Sequence, residues 1–144
     1  MDGLIERVRQ RHDYTPASSG AALARFEARS SLSIPDDMRR FYTSFDGARL
    51  WGAEYVLLDP DAFLPLGVAV RAAGAVDPSI PDSWTWFART RVGDCIGIRL
   101  GSTATAQTEV AAWSTRDATL RTIAVTFTEF LGRALDGGPR SYWT

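Results

Sequence analysis

The chain has 144 residues, the length of one ordinary domain, and its 45% hydrophobic and 23% charged residues lie near the globular average, which argues against intrinsic disorder. A domain of this size buries enough of its unfolded surface to fold without disulfides or a metal. Sixteen basic residues against seventeen acidic ones give a net charge of −1, so the cationic excess that neutralises phosphates is missing and direct nucleic-acid binding is not expected.

All sixteen basic residues are arginines. Without lysine there is no phosphate-loop lysine, no Schiff-base nucleophile and no lysine general base. His12 is the single histidine and Cys95 the single cysteine, so neither a zinc site nor an intramolecular disulfide can be assembled. Uncharged stretches are broken by Pro or Gly before reaching the roughly 18 apolar residues of a membrane span. Asp2 and Glu6 precede any apolar run, unlike a signal peptide. The expectation is one soluble, cytoplasmic domain over residues 1–144, with no membrane contact, no metal and no cofactor.

In chain order, residues 3–12 can form a short helix with Leu4, Ile5 and Val8 on one face. The segment from Tyr14 to Gly20 interrupts it, and Ser18 or Ser19 can cap the helix that follows. That second helix, about residues 20–30, groups Ala22, Leu23 and Phe26. In the third, about 36–45, Met38, Phe41, Tyr42 and Phe45 fall at i, i+3, i+4 and i+7. Pro35 suits its first turn, Asp36 and Asp37 suit the positive end of its dipole, and Asp46-Gly47 reads as a left-handed stop.

From Leu50 the hydrophobic period shifts toward two. Residues 54–58 and 63–66 read as short strands about the turn Asp59-Pro60-Asp61. Residues 67–83 are ambiguous, with Val68 to Ala73 able to form a short helix before Pro78 and Pro81. Trp84, Trp86 and Ala88 alternate with Thr85 and Phe87, and Ile96, Ile98 and Leu100 alternate with Gly97 and Arg99. Gly93-Asp94 turns between these strands. Residues 109–113 make another strand, followed by a polar turn over 114–119. Thr126 and Glu129 form a capping box for a helix over about 126–136, where Phe127, Phe130, Leu131, Ala134 and Leu135 share a face before Gly137-Gly138-Pro139. Helices, then a mostly antiparallel sheet from residues 50–113, then a helix packed on it, is an α+β fold.

Catalytic equipment is sparse. Arg11 and Asp13 beside His12 suggest an exposed helix end, and a general base needs an orienting partner. Cys95 opens an apolar strand, where cysteine behaves as a small hydrophobe. The pairs Asp36/Asp37 and Asp59/Asp61 lack the ligand count of a calcium loop and are explained by capping and turn formation. Gly93, Gly97 and Gly101 make no dinucleotide fingerprint. Trp51, between Leu50 and Gly52, is the aromatic residue hardest to place in a core and is a candidate interface anchor.

Several motifs in order resemble the SUKH superfamily, which includes the fungal Smi/Knr cell-wall-assembly regulators and many bacterial immunity proteins. These are Leu23-Ala24-Arg25-Phe26-Glu27, then Ile34-Pro35-Asp36-Asp37-Met38-Arg39-Arg40-Phe41-Tyr42, then Phe45-Asp46-Gly47. Leu64-Pro65-Leu66-Gly67 looks like the family's strand after its first hairpin. Trp84-Thr85-Trp86-Phe87-Ala88 with Gly93-Asp94, Val110 to Trp113, and Ala124 to Leu131 complete a resemblance over about residues 15–135. The resemblance implies a non-enzymatic protein-binding domain without catalytic residues, in which Phe26, Phe41, Trp86, Trp113, Phe127 and Phe130 pack. It implies an immunity protein that neutralises a cognate secreted toxin, with a nuclease as one such partner; the alternative is a cytoplasmic scaffold or regulator of the Smi/Knr type. A carboxylate hydrolase using Glu54, Asp59 or Asp61 has no motif behind it. A nuclease cleft is basic, so the expected binding residues are the turn carboxylates Asp46, Glu54, Asp59 and Asp61, with Trp51 as anchor.

Overall fold

Where apolar residues recur every three or four positions the chain is helical, and where they alternate it joins a sheet. The structure, a computed structural model, describes residues 1–18, 20–72, 84–100, 108–114 and 119–137. The elements run α1 (Asp2–Arg11), β1 (Asp13–Pro16), α2 (Ala21–Ser30), α3 (Asp36–Ser44), β2 (Phe45–Leu50), β3 (Tyr55–Leu57) and a single 3-10 turn (Pro60–Ala62). They continue with α4 (Phe63–Ala72), β4 (Trp84–Thr90), β5 (Cys95–Arg99), β6 (Val110–Trp113), β7 (Leu120–Ala124) and α5 (Phe127–Asp136). The strands form one sheet in the order β1-β2-β3-β4-β5-β6-β7, every neighbouring pair antiparallel. The α+β architecture expected from the sequence is the one observed.

The sheet has two buried faces. On the first, Ala48, Leu50, Tyr55, Leu57, Phe87, Ile96, Ile98, Val110, Ala112 and Ile123 meet the apolar sides of α1, α2, α3 and α5. Phe41 of α3 and Phe127 of α5 join at 5.5 Å between ring centroids, and Phe127 continues to Phe87 (5.7 Å) and Phe130 (6.2 Å). On the second face, Trp84, Trp86, Cys95, Ala111 and Trp113 pack against Val70 and Leu66 of α4. The register slips between Trp86 and Ala88. This slip sends both Phe87 and Ala88 into the first core while Trp84 and Trp86 stay in the second, so the simple alternation expected of that strand does not hold. Gly97 makes room for Trp86: a Cβ there would sit 2.8 Å from the indole ring.

Helix ends explain several differences from the sequence reading. Thr126 Oγ1 accepts from the Glu129 N–H at 3.0 Å, as a capping residue should, while the Glu129 carboxylate turns to Arg133 one turn on (3.3 Å). Asp37 fixes α3 to α5, one carboxylate oxygen accepting from both the Thr128 N–H (2.9 Å) and its hydroxyl (2.8 Å). Gly20, not a serine, is the N-cap of α2; Ser19 lies outside the described residues. Asp46-Gly47 is no left-handed stop. The backbone turns extended at Phe45 (φ −137°) and runs straight into β2, so α3 ends at Ser44 and Phe45 packs from the sheet. Gly47 serves a different need, because a Cβ would lie 2.8 Å from the Leu57 carbonyl oxygen of the neighbouring strand.

Two further expectations are corrected. Residues 63–66 are the first turn of α4 and not a strand, the Asp59-capped 3-10 turn feeding directly into that helix with Pro65 in its first turn. The sheet is also wider than residues 50–113: β1, β2 and β7 extend it from Asp13 to Ala124. β1 is exposed throughout and carries no apolar alternation, so only its pairing with β2 makes it a strand. The turn at Gly93 is as expected, with φ of 91°. Ala73, Pro78, Pro81, Gly101, residues 115–118, Gly138 and Pro139 lie outside the described residues.

The core makes a contrast measurable by denaturant unfolding. Phe41→Ala and Phe127→Ala, both at fully buried rings, should each cost about 3–5 kcal/mol. The buried Tyr42 hydroxyl has no hydrogen-bond partner among the described residues, so Tyr42→Phe should be neutral or stabilising by up to about 1 kcal/mol.

Candidate functional site

One row of register partners crosses the second face of the sheet: Asp13, Arg49, Val56, Arg89, Cys95, Trp113 and Leu120. Cys95 and Trp113 lie in the cluster that includes Val70 of α4. Over β1, β2 and β3 the face instead holds a groove of about 310 Å³, lined by Asp13, Tyr14, Thr15, Asp46, Gly47, Ala48, Arg49, Val56, Leu57, Leu58 and Asp59. Its lining carries three carboxylates and one guanidinium. Asp46 accepts from the Ser18 N–H at 3.2 Å and Asp59 from the Asp61 N–H at 2.8 Å, each through Oδ1, which leaves Oδ2 for an outside donor. The charge of Asp59 also reaches the Tyr42 hydroxyl; burial, and after it this charge, holds that phenol protonated far above its ordinary range.

The sequence-derived binding residues divide between the two ends of the β2–β3 hairpin. Asp46 and Asp59 share the groove end. Trp51 and Glu54 occupy the turn at the other end, five residues or about 17 Å along the strand from Asp46 to Trp51. Asp61 is engaged elsewhere: Arg25 grips it with two bonds (3.0 and 2.7 Å), and this guanidinium holds the carboxyl below its usual range. Glu54 pairs with Arg91 at 3.3 Å, and the Tyr55 hydroxyl beside it is pushed up to about 12 by burial and then by that carboxylate. Asp13 was not among the expected binding residues. Nothing local distinguishes it, since its place in the groove comes from pairing with Arg49.

Trp51 is tied down. Its backbone N–H donates to His12 Nδ1 (3.0 Å), its indole Nε1–H donates to the Ala134 carbonyl (3.0 Å), and the His12 ring meets it edge-on at 4.8 Å. The residue sits at φ 54°, a left-handed conformation that costs a non-glycine residue about 1–2 kcal/mol and is sustained here by those two bonds. His12 is therefore half-buried and acts as an acceptor, in contrast to the exposed helix end suggested by its neighbours. Burial, with Arg7 and Arg11 behind it, holds the imidazole below its ordinary value of 6.5 against the opposing Asp13. Burial likewise pushes the Cys95 thiol up, which keeps it in the unreactive protonated form. Among the described residues no group of three or more His, Cys, Asp or Glu could hold a metal ion, and no helix is long and apolar enough to cross a membrane.

Because the Trp51 indole ties the hairpin to α5 and its ring packs against His12, Trp51→Ala should lower folding stability by about 1–3 kcal/mol, measured by denaturant unfolding. Trp51→Phe, which keeps a ring against His12, should lose less; both variants retain the backbone N–H that donates to His12.

A search of curated proteins finds no match to the chain. A family model does match, over residues 17–133, from the loop before α2 to the middle of α5. These bounds nearly coincide with the span of the motifs in the sequence, and the chain belongs to the SMI1/KNR4 family (SUKH-1).

Proposed function

We propose that this chain acts as a single non-enzymatic binding domain, an immunity protein that neutralises a cognate bacterial toxin stoichiometrically in the cytoplasm. The observation that carries the reading is the groove over β1–β3, where Asp13, Asp46 and Asp59 gather around Val56. Family membership supports a protein partner. The charge of the groove supports a basic one, and a nuclease qualifies because its cleft must hold phosphates. Carboxylates meeting such a cleft would raise the association rate and reject neutral or acidic partners. The groove carboxylates Asp46 and Asp59 are assigned the main contact. Trp51 and Glu54 at the hairpin turn form a second edge, and Asp61 is left to its ion pair with Arg25.

The test begins with the neighbouring reading frame: a large secreted protein with a variable C-terminal domain supplies the toxin. Calorimetry should give a one-to-one complex. Asp46→Asn and Asp59→Asn keep the Oδ1 acceptor and remove the charge. Each should weaken binding at least about fivefold, roughly 1 kcal/mol, and flatten its salt dependence, while Asp61→Asn leaves it unchanged. Parent-like affinity in both groove variants places the docking face elsewhere.

A screen against hydrolase and nuclease substrates should detect no turnover. A reproducible activity that disappears on changing His12, or Asp59 and Asp61 together, overturns the non-enzymatic reading.

A further inference from the structure

His12 and Trp51 are 39 residues apart, and Trp51 and Ala134 a further 83, yet one residue joins all three, through its backbone N–H and its indole. The bond from the Trp51 N–H to His12 requires an unprotonated Nδ1, which places the ring proton on Nε2. A protonated imidazole is a donor at both nitrogens. It would then present an N–H to the Trp51 N–H, and the closed arrangement would lose its acceptor. The left-handed backbone of Trp51 would lose one of the two bonds that sustain it. His12 and Ala134 both lie outside the segment that matches the family model, so neither end of this tie is part of that match.

We propose that His12, Trp51 and the last turn of α5 form a proton-operated latch on the β2–β3 turn, closed when His12 is neutral and open when it is protonated. The surroundings of the ring favour the neutral form. Arg7 and Arg11 act on it from α1, and among the described residues Asp13 of β1 opposes them. Arg7 is itself paired with Asp136 at the end of α5 (2.8 Å), and Trp51 brings no charge from the turn. The sign follows from linkage. The closed state binds a proton more weakly than an open state with a solvated imidazole, so acidification below the ordinary histidine value shifts the population toward the open state. The same inequality makes the folded protein lose stability as pH falls from that value toward the depressed one, and gain it as pH rises. Trp51 and Glu54 lie on this turn, so the latch regulates the second edge of the binding surface; that consequence alone rests on the immunity reading.

The experiment uses the full chain without any partner, so the latch and the binding reading can fail separately. Nuclear magnetic resonance follows the Trp51 amide and its indole N–H from about pH 7.5 to about pH 4.5, the indole being identified by its loss in Trp51→Phe. Both resonances should move together in a one-proton transition centred below the ordinary histidine value, with amide exchange at Trp51 at least about tenfold faster than expected from pH alone. In His12→Asn the Oδ1 stands near the position of Nδ1 and does not titrate, so both resonances should stay flat. Resonances that are flat in the parent, or that move equally in His12→Asn, overturn the proposal. The His12 ring nitrogen shifts of the parent give an independent reading: a proton on Nδ1 at neutral pH overturns it whether or not the variant folds.

Discussion

The contact between the Phe41 and Phe127 rings is the joint on which the rest of the molecule depends. Phe41 belongs to α3, the last of the three N-terminal helices, and Phe127 to the closing helix, α5. Along the chain β2 to β7 lie between them, and Phe127 reaches the sheet through Phe87. Tilted and edge-on ring pairs add to their burial an orientation preference that aliphatic contacts lack. Asp37 reinforces the joint by placing a carboxylate at the N-terminus of α5, where backbone N–H groups and the helix dipole both favour negative charge. With α3 and α5 held together on one face, the sheet is free to present its other face.

That second face is divided between a packed cluster and an open groove. Over β4, β5 and β6 it carries a tryptophan-rich cluster with α4, and Gly97 permits the close approach of Trp86. Over β1, β2 and β3 it forms the acidic groove. The polar character of the groove follows from the same pairing that builds the sheet, since Asp13, Arg49 and Val56 stand side by side only in this register. A slip of one residue would turn Ala48 and Leu50 toward solvent and Arg49 into the core, so the groove inherits its definition from core packing.

The hairpin between β2 and β3 connects the two candidate edges and is restrained differently at each end. At the groove end, Asp46 and Asp59 use one oxygen each to hold Ser18 and the 3-10 turn. At the other end Trp51 is held by His12 and Ala134, contacts made by its backbone and by its indole. The groove end is thus held by carboxylates and the turn end by a histidine acceptor.

The sequence by itself determined α2, α3 and α5, the rings that fill the main core and the α+β class, because a 3.6-residue period and a helix cap are local signals readable over ten residues. It also carried the family motifs. It did not disclose β1, whose exposed residues become a strand only by pairing with β2; of α4 it offered a short helix from Val68 but not the first turn, where Pro65 and two flanking leucines fit a strand pattern and a helical turn equally well. Asp46 and Asp59 were legible as turn carboxylates, but their union with Asp13 in one groove, the removal of Asp61 by Arg25 and the capture of Trp51 by His12 were not. Each joins residues at least 13 positions apart through strand register or helix docking. Tertiary structure decided those contacts because they depend on which faces the packed core brings together, and no local period encodes that.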